Sequence, residues 1–358
     1  MMPPAIEELL RPELKKLVPY EPYRREGMIM LDANENPYPL PDGLYEEICR
    51  EAAARQLTRY PDPTAEELRR EIAAYAGVEP EQVVVGNGSD ELIQLLLLTF
   101  GGPGTFSLIP YPTFSMYAVH TTITGGRVIA VPCREDFSLP LPELAEKISS
   151  PEVHITFLAS PNNPTGAVFG EEELRFLLAK ARGLVVVDEA YFEFYGRSFV
   201  PLIKEYPNLV ILRTFSKAFA LAGFRVGYLI AAGEVTAQLF RTKQPYNLNT
   251  FSQTAALVAL KRRDLYRPLL QEIVAGREEL YRALFLMPGI KPFPSWANYI
   301  LFRTEKKPAP VVHRELKERG ILIRNLHGAP GLDNCLRVTV GQREEREKFL
   351  LALQEVLG

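Results

Sequence analysis

Cysteine is scarce in this 358-residue chain: Cys49, Cys133 and Cys335 lie far apart, and three cannot build a disulfide framework. A reducing compartment is the expectation. Only four histidines occur (His120, His154, His313, His327), none spaced with another or with a cysteine as metal ligands are, so no metal site is expected. Neither sign of charge dominates. The formal net charge is −3, which excludes the basic footprint of a nucleic-acid binder. No apolar run approaches the roughly 20 residues of a membrane span, and Leu95–Leu98 reads as a short segment of buried helix. Met1 to Leu17 alternates charged and apolar residues and lacks the apolar stretch of a secretory leader. The expected location is the cytoplasm.

What remains is an ordinary globular composition, 47% apolar and 24% charged, long enough for two domains or a large and a small lobe. Short apolar runs rich in β-branched residues alternate with helical patterns: Val83–Val85, Thr105–Ile109, Val128–Val131, His154–Leu158, Leu184–Val187, Leu209–Leu212 and Val226–Ile230. Near-continuous apolar strands separated by helices predict an α/β fold with a mainly parallel sheet covered on both faces. Such sheets bind ligands beyond the carboxyl ends of their strands. From residue 265 the pattern changes to a long helix, strands at Ala297–Phe302, Ile321–Arg324 and Leu336–Thr339, and a closing amphipathic helix, Glu344–Leu357. The predicted organisation is an N-terminal arm (1–40) that joins a small α+β domain (265–358), with a large domain between them (41–264).

Four segments carry chemistry. In Thr214-Phe215-Ser216-Lys217, one lysine sits among hydroxyls and apolar or small neighbours, with Arg225 eight positions on. Burial lowers an amine's pKa, which suits a lysine that bonds to an aldehyde cofactor and then serves as a base; the hydroxyls and Arg225 could hold that cofactor's phosphate. Val85-Gly86-Asn87-Gly88-Ser89-Asp90-Glu91 joins a strand to a helix, with Ser89 expected as N-cap and the first-turn N–H groups facing an anion. Alone, it is equally well read as a capped glycine turn. Glu91 stands where a dinucleotide fingerprint needs its third glycine, and no phosphate-binding lysine loop exists. Ser160-Pro161-Asn162-Asn163-Pro164-Thr165-Gly166 makes a stiff turn that could aim the Asn163 amide at a phenolate oxygen. Val187-Asp188-Glu189-Ala190-Tyr191 ends a strand in a carboxylate, costly unless partnered; a protonated pyridine nitrogen would partner it, while capping of the next helix is the commoner role for such an aspartate.

In order and spacing these segments resemble the fold-type I pyridoxal-phosphate aminotransferases over nearly the whole chain. The resemblance implies that fold, a large domain binding the cofactor pyridoxal 5′-phosphate plus the smaller α+β domain. By it, Lys217 bonds to the cofactor and Asp188 pairs with its ring nitrogen. Asn163 and Tyr191 bind the 3′-oxygen. Arg225, Thr214, Ser216 and the backbone of Ser89, Asp90 and Glu91 hold the phosphate.

Finer features resemble the histidinol-phosphate aminotransferase family. Leu31-Asp32-Ala33-Asn34-Glu35-Asn36-Pro37 is similar to its leading motif and puts Asn34 at the substrate. Arg59-Tyr60-Pro61-Asp62 is similar to the segment whose tyrosine reaches the cofactor phosphate of the other subunit, which implies a homodimer with shared active sites. Pro112-Thr113-Phe114-Ser115-Met116-Tyr117 resembles the segment that stacks a ring on the cofactor; Phe114 stands where members commonly carry Tyr, so a hydroxyl contact is lost and the stack kept. Tyr20 fits the arm tyrosine of the substrate pocket, and Asn298 fits a nearby asparagine of the family. Arg337 matches the arginine that binds the substrate carboxylate, and Arg324 a second anion position suited to a substrate phosphate. The implied reaction passes an amino group between a phosphorylated amino alcohol and 2-oxoglutarate, giving glutamate. Related alternatives are an aromatic amino-acid aminotransferase and a threonine-phosphate decarboxylase. A cofactor-binding regulator with an added DNA-binding domain would need length and basic charge that this chain lacks.

Overall fold

The computed structural model describes residues 6–19 and 27–358. Tyr20 lies outside the described residues. Among the described residues there are twelve strands: β1 (Ile29–Leu31), β2 (Val83–Gly86), β3 (Phe106–Tyr111), β4 (Arg127–Pro132), β5 (Val153–Ala159), β6 (Leu184–Asp188), β7 (Leu209–Thr214), β8 (Gly227–Ala231), β9 (Ile290–Pro292), β10 (Tyr299–Thr304), β11 (Ile321–Asn325) and β12 (Cys335–Thr339).

Seven of them form one sheet in the order β2-β8-β7-β6-β5-β3-β4. From β7 to β4 every neighbouring pair is parallel. Val185–Val187 and Leu209–Leu212 are buried on both faces, as strands sandwiched between helices must be. The sequence pattern predicted these strands with ends displaced by a residue or two. Direction is a different matter, and β8 runs antiparallel to both β2 and β7. Its apolar run looks like its neighbours', because burial on two faces sets composition whatever the direction. The reversal has a consequence for the site. The N-terminal end of β8 lies at the same edge of the sheet as the carboxyl ends of β2 and β7, and Gly227 pairs with both Gly86 and Thr214.

The second sheet has the order β1-β11-β12-β10-β9, antiparallel except where β1 lies parallel to β11. The N-terminal segment therefore does pair with strands from the far end of the chain, Ile29 with Ile321. Neither β1 nor β9 was legible in the pattern, since three residues carry no periodicity. The long helix Arg267–Phe285 starts with a proline in its first turn, where the missing N–H costs nothing. Leu95–Leu97 are buried in the helix Ser89–Phe100, but Leu98 is 58% exposed: consecutive residues on a helix are 100° apart, so four in a row cannot all face the core. Among the described residues no helix is long and apolar enough to cross a membrane.

Candidate active site

Lys217 follows β7 by three residues, among buried Phe215, Ala218 and Phe219. Its Nζ donates to the Ala33 carbonyl at 3.0 Å, and Asn36 Nδ2 donates to the Ala218 carbonyl at 3.1 Å, so the segment after β1 lies across the lysine. Burial, reinforced by the nearby Arg337 charge, pulls the amine down to about 8. Its Nζ lies 6.0 Å from the Tyr191 ring centroid.

Asp188 ends β6 and is 7% exposed. One carboxylate oxygen accepts from the Ala190 N–H at 2.9 Å, the other from the Tyr117 hydroxyl at 2.7 Å. It does not cap the short helix Phe192–Tyr195, which has no side-chain cap. Burial pushes this carboxyl up to about 6, against the two hydrogen bonds that hold it down. Two lone-pair positions remain for another donor. Tyr191 accepts from Asn34 Nδ2 at 2.9 Å, which leaves its own O–H to donate.

The glycine turn differs from expectation in one respect. Gly88, not Ser89, is the N-cap, with φ 82°, and Ser89 begins the helix without a capping side chain. The reason is conformation: the φ of 82° at Gly88 is strained for any residue with a side chain, and a Cβ there would also crowd the tip of Arg225. A Cβ on Gly227 would lie 2.6 Å from the Ser89 nitrogen, so β8 presses directly on the helix start. The Glu91 carboxylate accepts from the Asn87 N–H and from Asn247 Nδ2, which closes the turn. The N–H groups of Ser89, Asp90 and Glu91 then stand beside Arg225, whose Nη2 is 3.6 Å from Asp90 Oδ2. Thr214 Oγ1 accepts from the Ser216 N–H at 3.1 Å and lies 3.0 Å from Ser216 Oγ. Arg225, these amides and the two hydroxyls together present donors that suit a phosphate.

Arg337 links the two sheets. It donates to Asn163 Oδ1 and, at 2.6 Å, to the Asp32 carbonyl; its buried Nε has no partner among the described residues. Holding Oδ1 this way leaves Asn163 Nδ2 as the outward donor. Arg324 lies directly opposite Arg337 across β11 and β12, so both side chains leave the same face. Asn34 is fully buried, its side chain shared between Tyr191 and Thr339, and Asn298 Nδ2 donates to its carbonyl at 3.1 Å. Asn34 thus braces Tyr191 rather than opening toward a ligand.

Phe114 follows β3 and meets Tyr117 edge-on, with centroids 5.5 Å apart. Tyr60 stands apart from the lysine: it is 81% exposed and stacks on Tyr246 at 4.6 Å. Sequence reasoning missed the Ala33 carbonyl, Thr339 and the contact of Tyr117 with Asp188. A backbone acceptor leaves no residue-type signal; Tyr117, three residues beyond Phe114, did leave one.

The aminotransferase class I and II family model matches residues 26–353, and the chain belongs to that family. Within it, the similarity falls on proteins named histidinol-phosphate aminotransferase. One from Carboxydothermus hydrogenoformans is 48% identical over 96% of this chain and 97% of its own length. One from Caldanaerobacter subterraneus is 44% identical over 99% and 100%. Among solved structures, the histidinol-phosphate aminotransferase of Sinorhizobium meliloti in complex with pyridoxal-5′-phosphate superposes with a TM-score of 0.88 at 26% identity, covering 97% of each chain.

Proposed function

We propose that this chain transfers the amino group of histidinol phosphate to 2-oxoglutarate, giving imidazole-acetol phosphate and glutamate, with pyridoxal 5′-phosphate as cofactor. Relatives matching at full length carry that activity in their names. The observation that carries the substrate reading is the opposition of Arg324 and Arg337 across β11 and β12. Two guanidinium groups on one face of the ladder suit an anionic substrate. Both substrates are anions, one a phosphate ester and one a dicarboxylate, and they use the pocket in turn.

When bound, the cofactor supplies a ring that takes up the electron pair left as the substrate's α-proton departs. The rest belongs to the chain. Lys217, with its amine lowered to about 8, holds a neutral fraction near neutral pH and carries the proton between the substrate α-carbon and the cofactor C4′. Asp188, ionised above about pH 6, accepts from the ring nitrogen and keeps it protonated. Asn163 Nδ2 and the Tyr191 hydroxyl bind the 3′-oxygen, a reading supported by the bonds that orient each of them. Arg225, Thr214, Ser216 and the amides of Ser89, Asp90 and Glu91 hold the phosphate, and Phe114 covers the ring face. Arg337 takes the substrate carboxylate and Arg324 the second anionic group; Tyr20 completes the substrate side, and Asn34, expected there from the sequence, instead braces Tyr191.

The exposed Tyr60 supports a homodimer in which it serves the neighbour's cofactor phosphate. The arm 1–40, the cofactor domain 41–264 and the small domain 265–358 are the proposed units, and the cytoplasm the proposed location. Single-turnover half-reactions with histidinol phosphate, phenylalanine and threonine phosphate test the substrate. Histidinol phosphate should react fastest; faster reaction of phenylalanine overturns the reading.

A further inference from the structure

Tyr117 has no part in the machinery described so far, yet it occupies an unusual position. It lies on the helix Met116–Ile123, is 1% exposed, and its ring is stacked on Phe157 at 4.8 Å with an interplanar angle of 2°. Its edge meets Phe114. These contacts fix the ring so that its hydroxyl reaches Asp188 Oδ2 at 2.7 Å, across 71 positions of sequence. A buried hydroxyl needs a partner, and this one has a carboxylate. Burial beside Asp188 raises the phenol well above its ordinary range, so it stays a donor at any working pH.

We propose that Tyr117 is a positioning residue for Asp188, keeping that carboxylate oriented and ionised toward the protonated ring nitrogen of the bound cofactor. The proposal rests on the reading of the site as a pyridoxal-phosphate site. Asp188 ends a strand and has one torsion to settle about Cα–Cβ and one about Cβ–Cγ. The Ala190 N–H fixes one oxygen and the Tyr117 hydroxyl the other, so the carboxylate plane is set from both sides. The surroundings otherwise favour protonation. Asp90, from the helix after the glycine turn, and Glu189, its chain neighbour, both face Asp188 with like charge; the phenols of Tyr191 and Tyr299 are near it and neutral. Burial lowers the pKa of His120, one turn beyond Tyr117, against the charge of Asp90. Arg213 is committed to Glu189. Against desolvation and two like charges, Tyr117 supplies the stronger of the two hydrogen bonds that keep Asp188 anionic.

The test uses the cofactor-free full-length protein, Tyr117→Phe, and two ligands: pyridoxal 5′-phosphate and its analogue with the ring nitrogen replaced by carbon. Dissociation constants are measured by equilibrium dialysis from pH 5 to 8. In wild type, affinity for the nitrogen ring falls as pH drops through the Asp188 titration near 6. In Tyr117→Phe this fall should begin at higher pH, with affinity near neutrality about tenfold lower. Affinity for the carbon analogue should be unchanged. Equal weakening of both ligands would show that Tyr117 only packs, and a fall at unchanged pH would likewise overturn the proposal. Replacing Tyr117 by 3-fluorotyrosine, a stronger donor of nearly the same shape, should move the fall to lower pH; no movement, or movement upward, also overturns it. If wild type binds neither ligand, the site reading itself fails, and that result is distinct from the others.

Discussion

Glu189 and Arg213 form an ion pair buried directly behind the site, with Arg213 Nη2 and Nε 2.9 and 3.0 Å from Glu189 Oε2 and side-chain exposures of 0% and 3%. Glu189 follows Asp188, and Arg213 precedes Thr214. The pair therefore ties the end of β6 to the end of β7, one residue from Asp188 and one from Thr214. Ser198 Oγ and the Phe199 N–H donate to the same carboxylate, and Phe192 lies 3.6 Å beneath the guanidinium.

Removing one partner leaves the other charged and buried. Glu189→Leu should lower unfolding stability by about 3–5 kcal/mol, and the double substitution with Arg213→Met should recover most of that loss. Chemical denaturation of wild type, the two single variants and the double variant, all cofactor-free, measures it. A double variant as unstable as the two single changes summed would show that the two side chains are not coupled.

The Lys217 amine titrates near 8 when folded against an ordinary 10.5. Between those values the unfolded chain binds the proton more readily, so stability rises with pH there, and the burial penalty is present in full below about 8. Cofactor-free Lys217→Met should exceed wild type in melting temperature at pH 7, and the gap should narrow steadily from pH 8 to 10. A gap constant over that range would mean the amine is not desolvated.

Gly227→Ala drives a methyl group into the Ser89 nitrogen and the Gly88 carbonyl carbon, at 2.6 and 2.7 Å, and both are backbone. The helix start must retreat. Affinity for pyridoxal 5′-phosphate should fall at least tenfold, while affinity for pyridoxal, which has no phosphate, changes little. Fluorescence titration of the cofactor-free protein separates the two; equal losses would place the damage elsewhere.

Arg337→Lys keeps the charge and loses the fork that reaches Asn163 Oδ1 and the Asp32 carbonyl together. The KM for glutamate should rise by roughly 1.4–2.8 kcal/mol equivalent, one to two orders of magnitude. Steady-state kinetics at saturating second substrate tests this, and a KM within twofold of wild type would remove Arg337 from carboxylate binding.

Much of the site was legible because its residues sit at the ends of apolar strands. Asp188, Thr214, Lys217 and the glycine turn each follow a β-branched run, and that local grammar needs no knowledge of what lies across the sheet. Cross-sheet relations were not legible. Asn34 with Thr339, Arg337 with Asp32 and Tyr117 with Asp188 are pairings at long sequence separation, fixed by tertiary packing. The direction of β8 was hidden for a related reason: it depends on how closely Arg225 and Gly227 approach a turn about 140 residues earlier.

The pairing of β1 with β11 bears on how the protein is made. Ile29–Leu31 and the segment that crosses Lys217 leave the ribosome early, but Asp32 and Asn34 meet Arg337 and Thr339 across 305 positions. A nascent chain could assemble the seven-stranded sheet while its first described strand still waited for a ladder partner. The segment that covers Lys217 is therefore fixed only after residues 321–339 have joined β1 and the stretch that follows it.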